Sequence, residues 1–135
     1  MDATVRIDAG ILAQMMEEAR RSAGQECCGL LAGRGGVITA IYPAPNALES
    51  ATAFEIAPAD LFRLFRSMRE AGLDHLGIYH SHLRGENAPS PRDLELAFYP
   101  EAAYFILSPE PAHPRPVRAF LLDGGSFTEL EIQAV

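Results

Sequence analysis

The chain contains no lysine. All eleven basic residues are arginine, set against eighteen acidic ones for a formal net charge of −7. The arginines are scattered, so the sequence offers no basic patch for phosphates and argues against a nucleic-acid partner. Cysteine is nearly absent as well: Cys27 and Cys28 are neighbours and no third exists. Adjacent cysteines can bridge only through a strained ring, which excludes a disulfide framework and leaves two thiols expected to be reduced. No apolar run approaches the ~20 residues of a spanning helix. The N-terminus has neither a basic start nor an apolar signal core, because "GILAQMMEE" turns acidic at once. The expectation is a cytoplasmic protein with no membrane partner.

What is present is ample apolar material, 48% of 135 residues, enough to bury a core in one domain spanning 1–135. "TVRID" alternates as an edge or first strand. Asp8 can cap a helix from about residue 9 to about 23 whose apolar face is Ile11, Leu12, Met15, Met16 and Ala19. "CCGLLAG" is a continuous apolar run of the buried-strand kind, and "GRGG" turns it into "VITAIYP" as a hairpin. "TAFEIA" reads as another strand. "PADLFRLFRSMREAG" reads as a helix that starts at a proline, lines up Leu61, Phe62, Leu64, Phe65 and Met68, and stops at Gly72. "HLGIYHS" and "AAYFILS" are strands with the short helix "PRDLELAF" between them. "PEPAHPRP" is an irregular connection, and "VRAFLLD" with "SFTELEI" closes the chain as a hairpin around Gly124 and Gly125. The prediction is an α/β fold: a single compact domain with a mixed, mostly antiparallel sheet flanked by helices.

The chemistry concentrates in "IYHSHLRGENAPSPRD". On a strand, side chains alternate, so His80 and His82 share one face while Ser81 points to the other. Two imidazoles on one face can converge on an ion, and zinc accepts imidazole nitrogen and carboxylate oxygen, with three protein ligands and a water in catalytic sites. Asp93 is the candidate third ligand, because a loop of about ten residues rich in glycine and proline can return a carboxylate from the next helix. Helix capping explains Ser90, Pro91 and Asp93 equally well without a metal. It does not explain the paired histidines.

These residues resemble the JAMM (MPN-plus) family of zinc metalloproteases. Its motif is a distant glutamate, then His-x-His-Pro, six residues, Ser, two residues and Asp. Here His80 and His82 are followed by the spacer "RGENAP", and Ser90 and Asp93 fall in register; Glu26 in "QECCGLLAG" occupies the place of the upstream glutamate. Leu83 stands where the family has proline, a departure that bears on loop rigidity and substrate fit. The resemblance covers most of the chain. It implies a cytidine-deaminase-like arrangement of sheet and helices and one Zn2+ per chain held by His80, His82 and Asp93. It further implies Glu26 as general base on the zinc-bound water, and Ser90 as hydrogen-bond donor to the oxyanion.

The activity the resemblance implies is that of a zinc isopeptidase or peptidase. Its partner would be a ubiquitin-like or sulfur-carrier protein with a C-terminal Gly-Gly tail, from which stand-alone prokaryotic members remove a terminal cysteine, a short extension or a conjugated protein. Short connections such as "APNALESA" and "LRGENAPS" leave no room for large insertions, so an extended tail pairing along a strand edge is the expected substrate. The missing lysines fit a protein that escapes the conjugation it reverses, although a genome rich in G and C accounts for them without any function. Two alternatives stay open: an inactive scaffold of the same fold, and a general small-peptide metallopeptidase. A zinc nucleoside deaminase is excluded by the lack of His-x-Glu and of any later cysteine pair. Cys28, inside an apolar run, is read as a buried hydrophobe and not a nucleophile. His75 and His113 are read as solvated, and Glu55 as an exposed strand residue. Oligomeric state is not legible.

Overall fold

A computed structural model describes residues 3–22 and 24–135. Seven strands form one sheet in the order β1-β3-β2-β4-β5-β6-β7, closed by pairing of its two ends. The strands are β1 (Thr4–Ile7), β2 (Cys28–Arg34), β3 (Val37–Ala44), β4 (Asp74–Ser81), β5 (Ala103–Leu107), β6 (Val117–Asp123) and β7 (Ser126–Ala134). The helices are α1 (Ala9–Arg21), α2 (Pro58–Glu70) and the one-turn α3 (Pro91–Glu95). Pairing is antiparallel for β2/β3, β2/β4, β5/β6 and β6/β7, and parallel where β1 meets β3 and β7 and where β4 meets β5. The predicted α/β class and mixed sheet are what the chain adopts.

Local chemistry accounts for most elements. Asp8 caps α1, its Oδ1 accepting from the amides of Gly10 (2.8 Å) and Ile11 (3.2 Å). Ile11, Met15 and Ala19 repeat every four residues and are buried. Pro58 opens α2 at a position where its missing N–H costs nothing, and Leu64 and Met68 turn inward. The hairpins β2–β3 and β6–β7 turn on Gly35–Gly36 and Gly124–Gly125, all four with positive φ, as a twisted two-residue turn requires.

Both faces of the sheet are covered, which is why β2 reads as an unbroken apolar run. Leu31 joins Ile11, Met15, Tyr79 and Phe105 on the α1 side. Leu30 joins Leu64, Met68, Ile78 and Ile106 on the α2 side. Each aliphatic side chain buried this way contributes about 1.5–3 kcal/mol.

Four expectations need correction. β1 is no edge: it pairs with β3 on one side and, from Thr4↔Glu131 to Ile7↔Ala134, with β7 on the other, closing the sheet. Alternation shows that a strand is half-buried but not how many neighbours it finds. The segment read as the strand "TAFEIA" belongs to no ladder. Its backbone is served instead by the buried Asn46, whose Nδ2 donates to the carbonyl of Ala53 (2.9 Å) and whose Oδ1 accepts from the amide of Glu55 (3.2 Å). The first helix ends at Arg21, and the predicted end near residue 23 falls on a position outside the described residues. Finally, His75 is half-buried, with Nε2 2.9 Å from the Gly77 carbonyl and with Phe65 and Tyr99 edge-on to its ring.

Candidate active site

The pairing of β2 with β4 builds the site. Cys28 lies opposite His80, so Glu26, two residues before Cys28, is delivered to the end of β4 where His82 emerges. This junction is fastened from both sides. Ser81 Oγ accepts from the Cys27 amide (2.9 Å), and the Ser81 amide donates to the Cys27 carbonyl (3.0 Å). The Glu26 carbonyl accepts from Asn46 Nδ2 (3.1 Å), while the Glu26 amide donates to the Ser50 carbonyl (2.8 Å). Glu26 itself is 4% exposed. Burial pushes its carboxyl up from 4.5 to about 7, against the opposing pull of His82.

His80 and His82 do fall on one face of β4, with Ser81 on the other. Their Nε2 atoms are 3.1 Å apart. Asp93 closes the group, Oδ1 3.4 Å from His80 Nε2 and Oδ2 3.2 Å from His82 Nε2. The same carboxylate caps α3: Oδ2 accepts from the Ser90 amide (2.9 Å), and Ser90 Oγ accepts from the Asp93 amide (3.1 Å). Cap and ligand cluster are therefore one structure, and the capping box aims the carboxylate.

Ring orientations are set by further contacts. His82 Nδ1 is 3.1 Å from the Glu86 carbonyl, a contact only a protonated Nδ1 can make, which leaves the Nε2 lone pair facing the cluster. His80 is stacked on Phe54, centroids 4.4 Å apart, and its buried Nδ1 has no hydrogen-bond partner, so Nε2 makes all of its polar contacts. Burial pushes His80 below the ordinary histidine value even though Asp93 opposes this. His82 is pulled above that value because Asp93 and the Glu86 carbonyl outweigh burial. Burial pushes the Asp93 carboxyl up, but the two histidines beside it and the Ser90 amide together outweigh this and hold it far below the carboxylate range.

One ligand atom from each of His80, His82 and Asp93 can be chosen so that all lie within 4.8 Å of one another. Two imidazole nitrogens and a carboxylate facing each other repel unless a proton or a cation sits between them. That donor set, nitrogen, nitrogen and oxygen, is the kind zinc takes in three-ligand sites.

Glu26, His82, Ser90 and Asp93 line one cleft of about 800 Å³, with Leu83, Arg84, Arg92 and the Ala51–Ala53 stretch. His80 lies beneath it, beside Phe54 and Tyr104. Sequence reasoning missed Asn46, Phe54 and Ser81 as supports. Ser81 alone left a signal, a hydroxyl on the inward face of a buried strand.

Fold and cluster together define a candidate metal-dependent hydrolase. The chain belongs to the prokaryotic homologs of the JAB domain, whose family model matches residues 8–123; the resemblance to the JAMM family is shown. A CysO-cysteine peptidase of Mycobacterium tuberculosis is 32% identical over 131 residues, covering 96% of this chain and 90% of the relative. A desampylase of Haloferax volcanii is 36% identical over 103 residues, 74% of each chain. Among solved structures, a protein of Desulfitobacterium hafniense matches with a TM-score of 0.86 and 31% identity, over 98% of this chain and 93% of that one.

Proposed function

We propose that the protein is a zinc-dependent peptidase or isopeptidase that cleaves after the C-terminal Gly-Gly tail of a ubiquitin-like or sulfur-carrier protein. The observation that carries this reading is the convergence of His80, His82 and Asp93 beside a buried carboxyl, Glu26, in an open cleft. His80 Nε2, His82 Nε2 and an Asp93 oxygen would hold the zinc. Bound there, the ion would supply Lewis-acid polarisation and lower the pKa of a water molecule towards ~7.

Glu26 takes a proton from the attacking water. A carboxyl raised to about 7 by burial is matched to both halves of that task, because it gains and gives up a proton at modest cost near neutrality. Oxygen joins the acyl carbon, the C–N bond breaks, and the proton held by Glu26 passes to the leaving nitrogen. Ser90 Oγ uses its acceptor capacity on the Asp93 amide, which frees its O–H to donate to the oxyanion developing on the scissile carbonyl. Leu83, in the place of the family's proline, lines the same cleft and shapes the approach of the tail. A filled ligand set with Glu26 in place favours an enzyme over a binding scaffold. The two buried free thiols suit a reducing cytoplasm.

The test combines metal content with turnover. Protein purified without added metal or chelator is expected to carry about one zinc per chain and to cleave a Gly-Gly-tailed carrier. Glu26→Gln should keep the zinc and lose about 10²–10⁴-fold in kcat. Undiminished turnover in that variant would remove Glu26 from the mechanism.

A further inference from the structure

In a chain of net charge −7, three arginines line the cleft: Arg20 from the last turn of α1, Arg84 just past His82, and Arg92 next to Asp93. All three are exposed. Of the eight arginines outside the cleft, five are engaged. Arg63 pairs with Asp60, Arg66 with Glu70, and Arg115 and Arg118 with Glu129; Arg34 donates to the carbonyls of Ala71 and Gly72. Among the described residues, Arg20, Arg84 and Arg92 make no ion pair and no side-chain hydrogen bond. The two carboxylates in the cleft are otherwise committed, Asp93 to the histidines and Glu26 to its buried niche. The cleft is thus a cationic spot on an acidic protein, with unspent guanidinium forks of the shape that binds a carboxylate.

The substrates separate on that chemistry. In an isopeptide conjugate the leaving nitrogen belongs to a lysine side chain, and the nearest backbone is a four-carbon stem away. In a carrier bearing one C-terminal amino acid, the free α-carboxylate is attached to the same Cα as the scissile nitrogen, about 2.5 Å from it by covalent geometry. Such a carboxylate must lie inside the cleft when the bond is cut. Arg84 follows His82 by two residues and Arg92 precedes Asp93 by one, so backbone spacing of about 3.8 Å per residue keeps both near the reacting centre.

We propose that Arg84 and Arg92 form a carboxylate-recognising subsite, by which the enzyme selects a carrier ending in a single amino acid over an isopeptide conjugate to a protein lysine. This rests on the peptidase reading given above and narrows its substrate class. Hydrolysis of that substrate releases the amino acid with its amine restored and its original carboxylate unchanged, so no further reactant is required.

The experiment uses zinc-loaded Glu26→Gln protein, which binds without turning over. Two versions of one Gly-Gly tail peptide with a terminal cysteine are titrated, one a free carboxylate and the other a carboxamide. The carboxylate form is expected to bind about 10- to 100-fold more tightly. Adding Arg84→Gln and Arg92→Gln should erase the difference, and the Arg→Lys pair should restore part of it, which guards against misfolding. Equal affinities in the starting protein, or a preference that survives loss of both arginines, would overturn the subsite. Turnover by wild-type protein separates this from the broader reading. Cleavage of both peptides at equal rates overturns the subsite and leaves the peptidase. A carboxylate preference in binding without cleavage of any Gly-Gly substrate overturns the peptidase and leaves the subsite.

Discussion

The two faces of the sheet treat buried polarity in opposite ways. On the α1 face two buried polar groups each meet a complement. The Tyr79 hydroxyl donates to Glu18 at 2.5 Å, and Ser81 Oγ accepts from the Cys27 amide. On the α2 face, His80, His82 and Asp93 present electron pairs to one another. The same strand, β4, supplies both faces by alternation. A donor matched to an acceptor is complete and needs nothing further; a cluster of acceptors is complete only with a cation. The first pattern is structural and the second is chemical, although both are buried and both perturb their groups' pKa values.

The sharpest break of that contrast is His82→Ala. It is expected to abolish zinc binding and cleavage, read by elemental mass spectrometry and by turnover, while the fold survives because the α1 face is untouched. Full zinc occupancy in this variant would take His82 out of the ligand set. Ser90→Ala comes next. Loss of the oxyanion donor should lower kcat by about 10²–10³-fold, and loss of the cap should cost about 1 kcal/mol of stability, with Ser90→Thr recovering most of both.

On the other face Tyr79→Phe leaves Glu18 without its donor. Burial already pushes that carboxyl up, with Tyr79 opposing. Urea unfolding should show a loss of about 1–3 kcal/mol with zinc content unchanged; a loss of zinc instead would mean the two faces are not independent.

The smallest effect concerns the thiols. Burial pushes Cys27 up from 9.0 to about 11 and Cys28 to about 12. The native state therefore keeps both thiol protons after the unfolded chain has lost its own. Stability is unaffected below about pH 9 and declines as pH rises from about 9 to about 12. In parallel, iodoacetamide at pH 8 should label both cysteines in urea and neither in the native protein.

Much of this was legible in the linear sequence because it is carried by short-range rules. Asp8, Pro58 and the two Gly-Gly turns mark where elements start and reverse. The four-residue spacing of Ile11, Met15 and Ala19 marks a buried helical face. The spacing of His80, His82, Ser90 and Asp93, with Glu26 upstream, singled out residues that the structure gathers around one cleft. Long-range pairing was not legible. Nothing in "TVRID" says that it finds β7, and nothing in "TAFEIA" says that Asn46 takes over its backbone.

His75 and Phe54 show the same limit. A histidine after Asp74 looks solvated until Phe65 and Tyr99 close over it, and Phe54 looks like a strand residue until it lies against His80.

The sequence by itself determined the elements, the alternation that puts His80 and His82 on one side, and the donor types available for a metal. Only the tertiary structure decided that Glu26 meets those donors across the β2–β4 pairing, that the Asp93 cap is also the third corner of the cluster, and that three arginines face the opening. Side-chain chemistry and local periodicity are written residue by residue. Convergence depends on which strands pair and in what register, a property of the whole sheet.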